Sequence, residues 1–247
     1  MATKDQIVYR AKLAEQADRH DDMAKFMLQA IELDANISDE ERNLLSFAFK
    51  NTVGTRRNSW RMISSIESKP DIEEDKKELI KAYRADIELE LREICNKVLD
   101  ILEKNLLPRA DIPDIKVFYI KMKADYLRYI AEVSSGNERQ GVVEKSRHAY
   151  GEAFDIAKEK LRPIHPIRLG LALNFSVFYY EIDSDPKKAC QLAKQAFDEA
   201  LAQMDTVDGD THKDSSMILQ LLRDNLSLWT ADNDEQQQEG ATEVHGL

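Results

Sequence analysis

Five side chains suited to holding an anion recur at helical spacing in this sequence. Lys50, Arg57 and Arg61 are separated by seven and four positions, and at about 100° per residue they point within about 40° of one another on a helix. Lys121 and Arg128 are again seven apart, with Asp125 one turn before Arg128 and Tyr129 beside it. If the two faces converge, guanidinium and ammonium donors with a phenol surround a single dianion. Arginine suits this use because its planar fork grips a phosphate through two parallel bonds and stays protonated. One bond to a charged group contributes about 1.5–3 kcal/mol, so two forks separate a phosphorylated ligand from an unmodified one by orders of magnitude. From spacing alone a blander outcome is favoured: each stripe pairs with nearby carboxylates on a wet surface.

The companions of these stripes are apolar. The segments LGLALNFSVFYYEI (169–182) and MILQLLRDNLSLW (217–229) read as helices rich in large hydrophobes, and each places one asparagine, Asn174 or Asn225, among them. An asparagine in such surroundings is either satisfied within the core or faces a ligand, and both readings stand at this point.

Signatures of catalysis are missing. The sequence has no GxxxxGK phosphate loop, no GxGxxG, no HExxH and no GxSxG elbow. His20, His148, His165, His212 and His245 are scattered without ligand spacing, so no metal site and no cofactor is expected. Acidic runs such as Glu40-Glu41 and Glu73-Glu74-Asp75 fall where solvated helix ends belong. Cys95 and Cys190 show no CxxC spacing and sit in apolar helical contexts, which reads as reduced core cysteines. No catalytic residue is assigned.

The elements that must carry these side chains are helices. Gly and Pro number 8 and 6 in 247 residues, about half of average usage, which leaves few turns. Ser38 with Glu41 forms the pattern of a capping box. A division near Arg19 or His20, Pro70, Pro108, Ser134-Ser135-Gly136, Pro163, starts at His165-Pro166 and Asp185-Pro186, and Gly209 cut the chain into about nine helices. No alternating apolar run bounded by hairpin turns occurs, so the expected fold is all-α with short antiparallel connections. Residues 1–231 form the helical domain. Residues 232–247 hold five carboxylates and no Lys or Arg, and read as an acidic disordered tail.

The net charge of -11 repels nucleic acid and anionic lipid as general partners. No stretch reaches the ~18 uncharged apolar residues of a membrane span and the start lacks a signal sequence, so the expected compartment is the cytoplasm, with the nucleus also open.

At these residues the chain resembles the 14-3-3 family. The blocks RNLLSFAFKN (42–51), RRNSWRMISSIE (56–67), KVFYIKMKADYLRYIAE (116–132), RPIHPIRLGLALNFSVFYYEI (162–182) and KDSSMILQLLRDNLSLWTAD (213–232) are similar to the family's, with the helix joints in register from Lys4 to Thr230. The resemblance implies nine helices forming a cup whose groove holds phosphoserine or phosphothreonine peptides in extended form, without catalysis. It implies phosphate ligands at Lys50, Arg57, Arg61, Arg128 and Tyr129, and main-chain ligands at Asn174 and Asn225. Groove positions are implied at Lys121, Asp125, Leu173, Val177, Glu181, Ile218, Leu221, Leu228 and Trp229.

It also implies a homodimer or heterodimer. Leu13, Ala17, Ile63, Ile66 and Tyr83 match apolar contacts of the family's interface, and Arg19 with Glu90 matches an ion pair across it. Other pairs are altered. Asp86 stands where many members carry a lysine facing the residue matching Asp22, Asp75 replaces another such lysine, and Gln6 replaces its acidic partner. The expectation is a dimer weakened at these positions. Phe47, Phe49 and Thr52 replace the usual Val, Tyr and Val beside Lys50. Ser59 follows Arg56-Arg57-Asn58 and matches an interface serine phosphorylated in the family. It is either a regulatory site, where added charge separates protomers, or an unmodified helix residue. Asp185 stands in place of a phosphorylatable serine found in some members.

Two other functional classes make different demands on the sequence. A helical-repeat scaffold would show a period of 34 or about 40 residues, and none is present. An all-α hydrolase would need converging carboxylates, whereas cations and asparagines are what the spacing gathers.

Overall fold

Reciprocal caps open two of the helices. In the computed structural model, which describes residues 2–206 and 209–244 and side chains as far as residue 231, Thr3 accepts from the Gln6 amide and the Gln6 carboxamide accepts from the Thr3 amide. Helix α1 (Lys4–Gln16) starts there. Asp18 takes a left-handed φ of 58°, which turns the chain into α2 (His20–Leu33). Ser38 and Glu41 exchange the reciprocal bonds of a capping box, 2.7 and 3.2 Å, and α3 (Asp39–Glu67) follows. After α4 (Glu74–Ile101) the chain loosens into a π-helical turn, Leu102–Leu106, and then a tight turn containing Pro108.

Proline occupies the first position of α5 (Pro113–Glu132), α7 (Pro166–Glu181) and α8 (Pro186–Leu201), where its missing amide costs nothing and its fixed φ suits the helix. Between α5 and α6 (Gly136–Lys160) the chain needs φ of 55° at residue 136, a conformation that glycine adopts without a steric penalty. A short turn, Met204–Thr206, precedes α9 (Gly209–Val244). Among the described residues there are nine α-helices and no strand, the all-α fold expected, with its joints at the expected places. The helix α9 passes Asp232, where the sequence pattern changes. The side chains from Asp232 onward, and His245 to Leu247 entirely, lie outside the described residues.

Two compact units divide the chain, Met1–Ala110 and Asp111–Leu247. In the first, α2 packs on α1 and α3, and α3 on α4, around buried Met23, Met27, Ile31, Leu45, Phe49, Leu91 and Cys95. In the second, α5 pairs with α6, and α7 packs on α5, α6, α8 and α9. Alanines at 189, 193 and 200 let α8 approach closely the core of Ile164, Leu169, Leu219, Leu222 and Trp229. Each large apolar side chain so buried contributes about 1.5–3 kcal/mol, and Cys95 is buried while Cys190 is half-buried. Among the described residues no helix is long and apolar enough to cross a membrane.

Candidate functional site

Helix α5 brings Lys121, Asp125, Arg128 and Glu132 onto one stripe through spacings of four, three and four. Asp125 is the centre of this stripe and is 6% exposed. Lys121 Nζ donates to its Oδ2 at 2.8 Å. Tyr150 of α6 donates its hydroxyl to Oδ1, and the Asn174 amide of α7 donates to both oxygens at 2.9 and 3.0 Å. Arg128, 5% exposed, donates its Nε to the Tyr150 hydroxyl at 3.1 Å. Its terminal nitrogens stand 3.6 Å from carboxylate oxygens of Asp125 and Glu132. Three helices of the second unit thus meet in one buried polar network.

Burial alone would raise the pKa of Asp125, but the charges of Lys121 and Arg128 and the donated bonds outweigh it and hold the carboxyl below its ordinary range. Burial would likewise lower that of Arg128; the surrounding oxygens of Tyr150, Tyr129, Asp125 and Glu132 push it well above. Both groups therefore stay charged. Burial raises the Tyr150 phenol far above its usual value, so it remains a donor. The Arg128 guanidinium lies 4.9 Å from the centre of the half-buried Tyr129 ring, which joins the phenol to the same cationic centre.

The α3 stripe has a different character. Lys50 and Arg61 are exposed and Arg57 half-buried. On the opposite edge of that helix Arg56 grips both oxygens of Asp21, at 2.7 and 3.0 Å, and reaches Glu90 at 3.1 Å. On α7 and α9, Leu173, Val177 and Ile218 are partly buried against the core. Leu221 and Leu228 are 47% and 59% exposed, and Asn225 is half-buried. Glu181 ends α7, exposed. Trp229 is buried and stacks on Tyr180, ring centres 4.7 Å apart.

Asn174 is half-buried, and its amide nitrogen is partnered by the carboxylate of Asp125. Tyr150 and Glu132 join the network without having been expected from sequence. Glu132, four residues after Arg128, was open to a helical-pair reading; Tyr150, 25 positions from Asp125, gave no local signal.

Comparison with known proteins settles the family. The model of the 14-3-3 protein family matches residues 10–230. The chain belongs to the 14-3-3 family. It is 62% identical to "14-3-3-like protein 2" of Caenorhabditis elegans over 229 residues, 93% of this chain and 92% of that protein. It is 61% identical to "14-3-3 protein zeta" of Bombyx mori, covering 93% of each, and 58% identical to human "14-3-3 protein beta/alpha", covering 93% and 94%. Membership supports a phosphopeptide-binding adaptor role in signalling.

The residues expected to make dimer contacts belong to the first unit. Leu13 and Tyr83 are 46% and 58% exposed, Ala17 is exposed, and Ile63 and Ile66 are half-buried. Arg19 pairs with Asp22 and Glu90 with Arg56 inside the chain. Asp75 and Asp86 are exposed. Ser59 is exposed with its hydroxyl turned back to the Thr55 carbonyl at 3.0 Å.

Proposed function

We propose that this chain docks extended phosphoserine or phosphothreonine peptides of client proteins and thereby regulates their activity, conformation or location, without catalysis. Lys50, Arg57 and Arg61 of α3 and Arg128 and Tyr129 of α5 hold the phosphate. Asn174 and Asn225 hold the peptide main chain, and the apolar side chains of α7 and α9 line the opposite wall with Lys121, Asp125, Glu181 and Trp229.

The observation that carries this reading is the fixed guanidinium of α5: Arg128, buried and held charged by the oxygens of Asp125, Glu132 and Tyr150, stands against the Tyr129 ring. The family resemblance assigns these two positions to the phosphate, together with the cations of α3. An acidic body around such a site disfavours indiscriminate polyanion binding, so specificity comes from contrast.

The same reading makes the chain a dimer through Leu13, Ala17, Ile63, Ile66 and Tyr83, with Arg19 and Glu90 exchanging partners across the interface and Ser59 able to separate protomers once phosphorylated. It works in the cytoplasm, with the nucleus also open to it. Isothermal titration with two peptides of one sequence, phosphoserine in one and serine in the other, tests the function. Binding only of the phosphorylated peptide is expected, and comparable affinity for both would sink the reading.

A further inference from the structure

Residues 161–165 join α6 to α7 and are tied to two more helices. Leu161 carbonyl accepts from Arg168 of α7 at 2.9 Å, and the same guanidinium reaches Glu199 of α8 at 2.8 Å. The carbonyl of Ile164, 1% exposed, accepts from the fully buried Ser215 hydroxyl of α9 at 2.7 Å. At the end of this segment His165 caps α7: its Nδ1 accepts from the Ile167 amide at 3.2 Å, while its carbonyl takes the Leu169 amide at 3.0 Å. The first turn of α7 thus depends on a lone pair that a proton removes.

We propose that His165 is an acid-sensitive clasp: the neutral imidazole closes the first turn of α7, and its protonation opens that turn and loosens α7 and α9, the helices that carry Asn174 and Asn225. With Nδ1 accepting, the neutral ring carries its proton on Nε2. Adding the second proton turns the acceptor into a donor facing another donor, and sets a cation at the positive end of the helix dipole. Asp114 at the start of α5 acts on the ring, Arg162 lies within the segment, the Arg168 and Glu199 pair ties α7 to α8, and the first turns of α9, which Ser215 joins to Ile164, carry Asp210, His212, Lys213 and Asp214. Burial holds the His165 pKa below its ordinary 6.5, and the charge of Asp114 opposes that shift. The folded chain therefore binds this proton less readily than the unfolded one. The cap's contribution to stability is full above about pH 6.5 and is lost progressively as pH falls from there through the folded value, where the ring itself takes up the proton.

The link to peptide binding rests on the proposed phosphopeptide function, whereas the clasp itself can be read without any ligand. Hydrogen exchange by NMR on the full chain, corrected for intrinsic rates, follows the Ile167 and Arg168 amides from pH 7.5 to 5 beside the imidazole shift of His165. Protection should fall about five-fold or more as His165 titrates, the effect of losing one N-cap. His165→Asn, which keeps an acceptor that does not titrate in this range, should hold protection constant. Unchanged protection in the wild type, or the same loss in His165→Asn, would overturn the clasp. Affinity for one phosphoserine peptide, taken as the ratio of the two proteins so that the phosphate's own titration cancels, should shift several-fold over this range. A constant ratio overturns the coupling, and absence of phosphopeptide binding at every pH refutes the function while leaving the exchange result to judge the clasp.

Discussion

The basic residues of the two units stand in opposite settings. On α3, Lys50 and Arg61 stand in solvent and Arg57 is half-buried. On α5, Arg128 is enclosed, with Tyr150 and two carboxylates around it, and Asp125 beside it accepts from three different helices. An exposed cation is hydrated whether or not a ligand is present, so its removal costs the fold little. A buried one has exchanged water for protein oxygens, and its removal leaves those oxygens unpaired. Under the proposed function, cations assigned to one ligand carry unequal obligations to the fold: Lys50 and Arg61 of α3 stand toward solvent, whereas Arg128 of α5 is fixed in place by protein oxygens.

The largest effect should follow from Arg128→Ala. It strips the buried network of a charge, and breaking a buried pair in this way costs about 3–5 kcal/mol, in addition to removing the bonds to phosphate that the proposed function gives this guanidinium. It should also change the response to acid. Asp125 is now held below its ordinary 3.8, so its contribution to stability is present above about pH 3.8 and is lost as pH falls through the folded value. Without Arg128 that depression shrinks, and unfolding should begin at higher pH. Urea and acid titrations followed by circular dichroism measure both. Unchanged stability would break the comparison at its α5 end.

Lys50→Glu should separate the two roles cleanly. The side chain is exposed, so stability should stay within about 0.5 kcal/mol of the parent. Phosphopeptide affinity should fall by a factor of roughly 10 to 100, because a bond to a charged group contributes about 1.5–3 kcal/mol and the new carboxylate repels the dianion. Titration calorimetry beside the urea curve checks the pair of numbers. A destabilised variant would mean that α3 shares the structural burden of α5.

How much of this is legible in the sequence follows the same division. Joints governed by local chemistry are readable: the Ser38 and Glu41 box, proline at positions 166 and 186, and the break at Gly136 each depend on residues within a few positions. The α3 stripe is readable too, since spacing alone sets it. The α5 network is not, because Asp125 meets Tyr150 and Asn174 only after three helices have packed, and nothing in the spacing of 25 or 49 positions announces that. Asn174 shows the limit well. Its sequence context poses a satisfied amide against a ligand-facing one, and only the packed position of Asp125 supplies the partner. Arg56 reads simply as part of a basic run, while its hold on Asp21 and Glu90 depends on how α2 and α4 flank α3.

The smallest effect is expected at the surface of the first unit, where charges are exposed and their pairing weak. Asp86 is exposed on α4, and under the proposed dimer it faces an acidic residue matching Asp22 where many 14-3-3 proteins have a lysine. Asp86→Lys replaces a repulsion with an attraction. Each exposed pair contributes about 0.2–1 kcal/mol, and two-fold symmetry counts the change twice, so the dimer should tighten by a factor of about 2 to 30. The gain should shrink with added salt, because exposed charges farther apart than about 10 Å are screened at 0.1 M. Asp22 already pairs with Arg19 inside the chain, which sets the effect toward the lower end, since the new lysine must share that carboxylate. Sedimentation across concentrations and at two salt levels decides the matter. A dimer that does not tighten, or tightens equally at high salt, would show that this surface acts through its apolar contacts at Leu13 and Tyr83 alone.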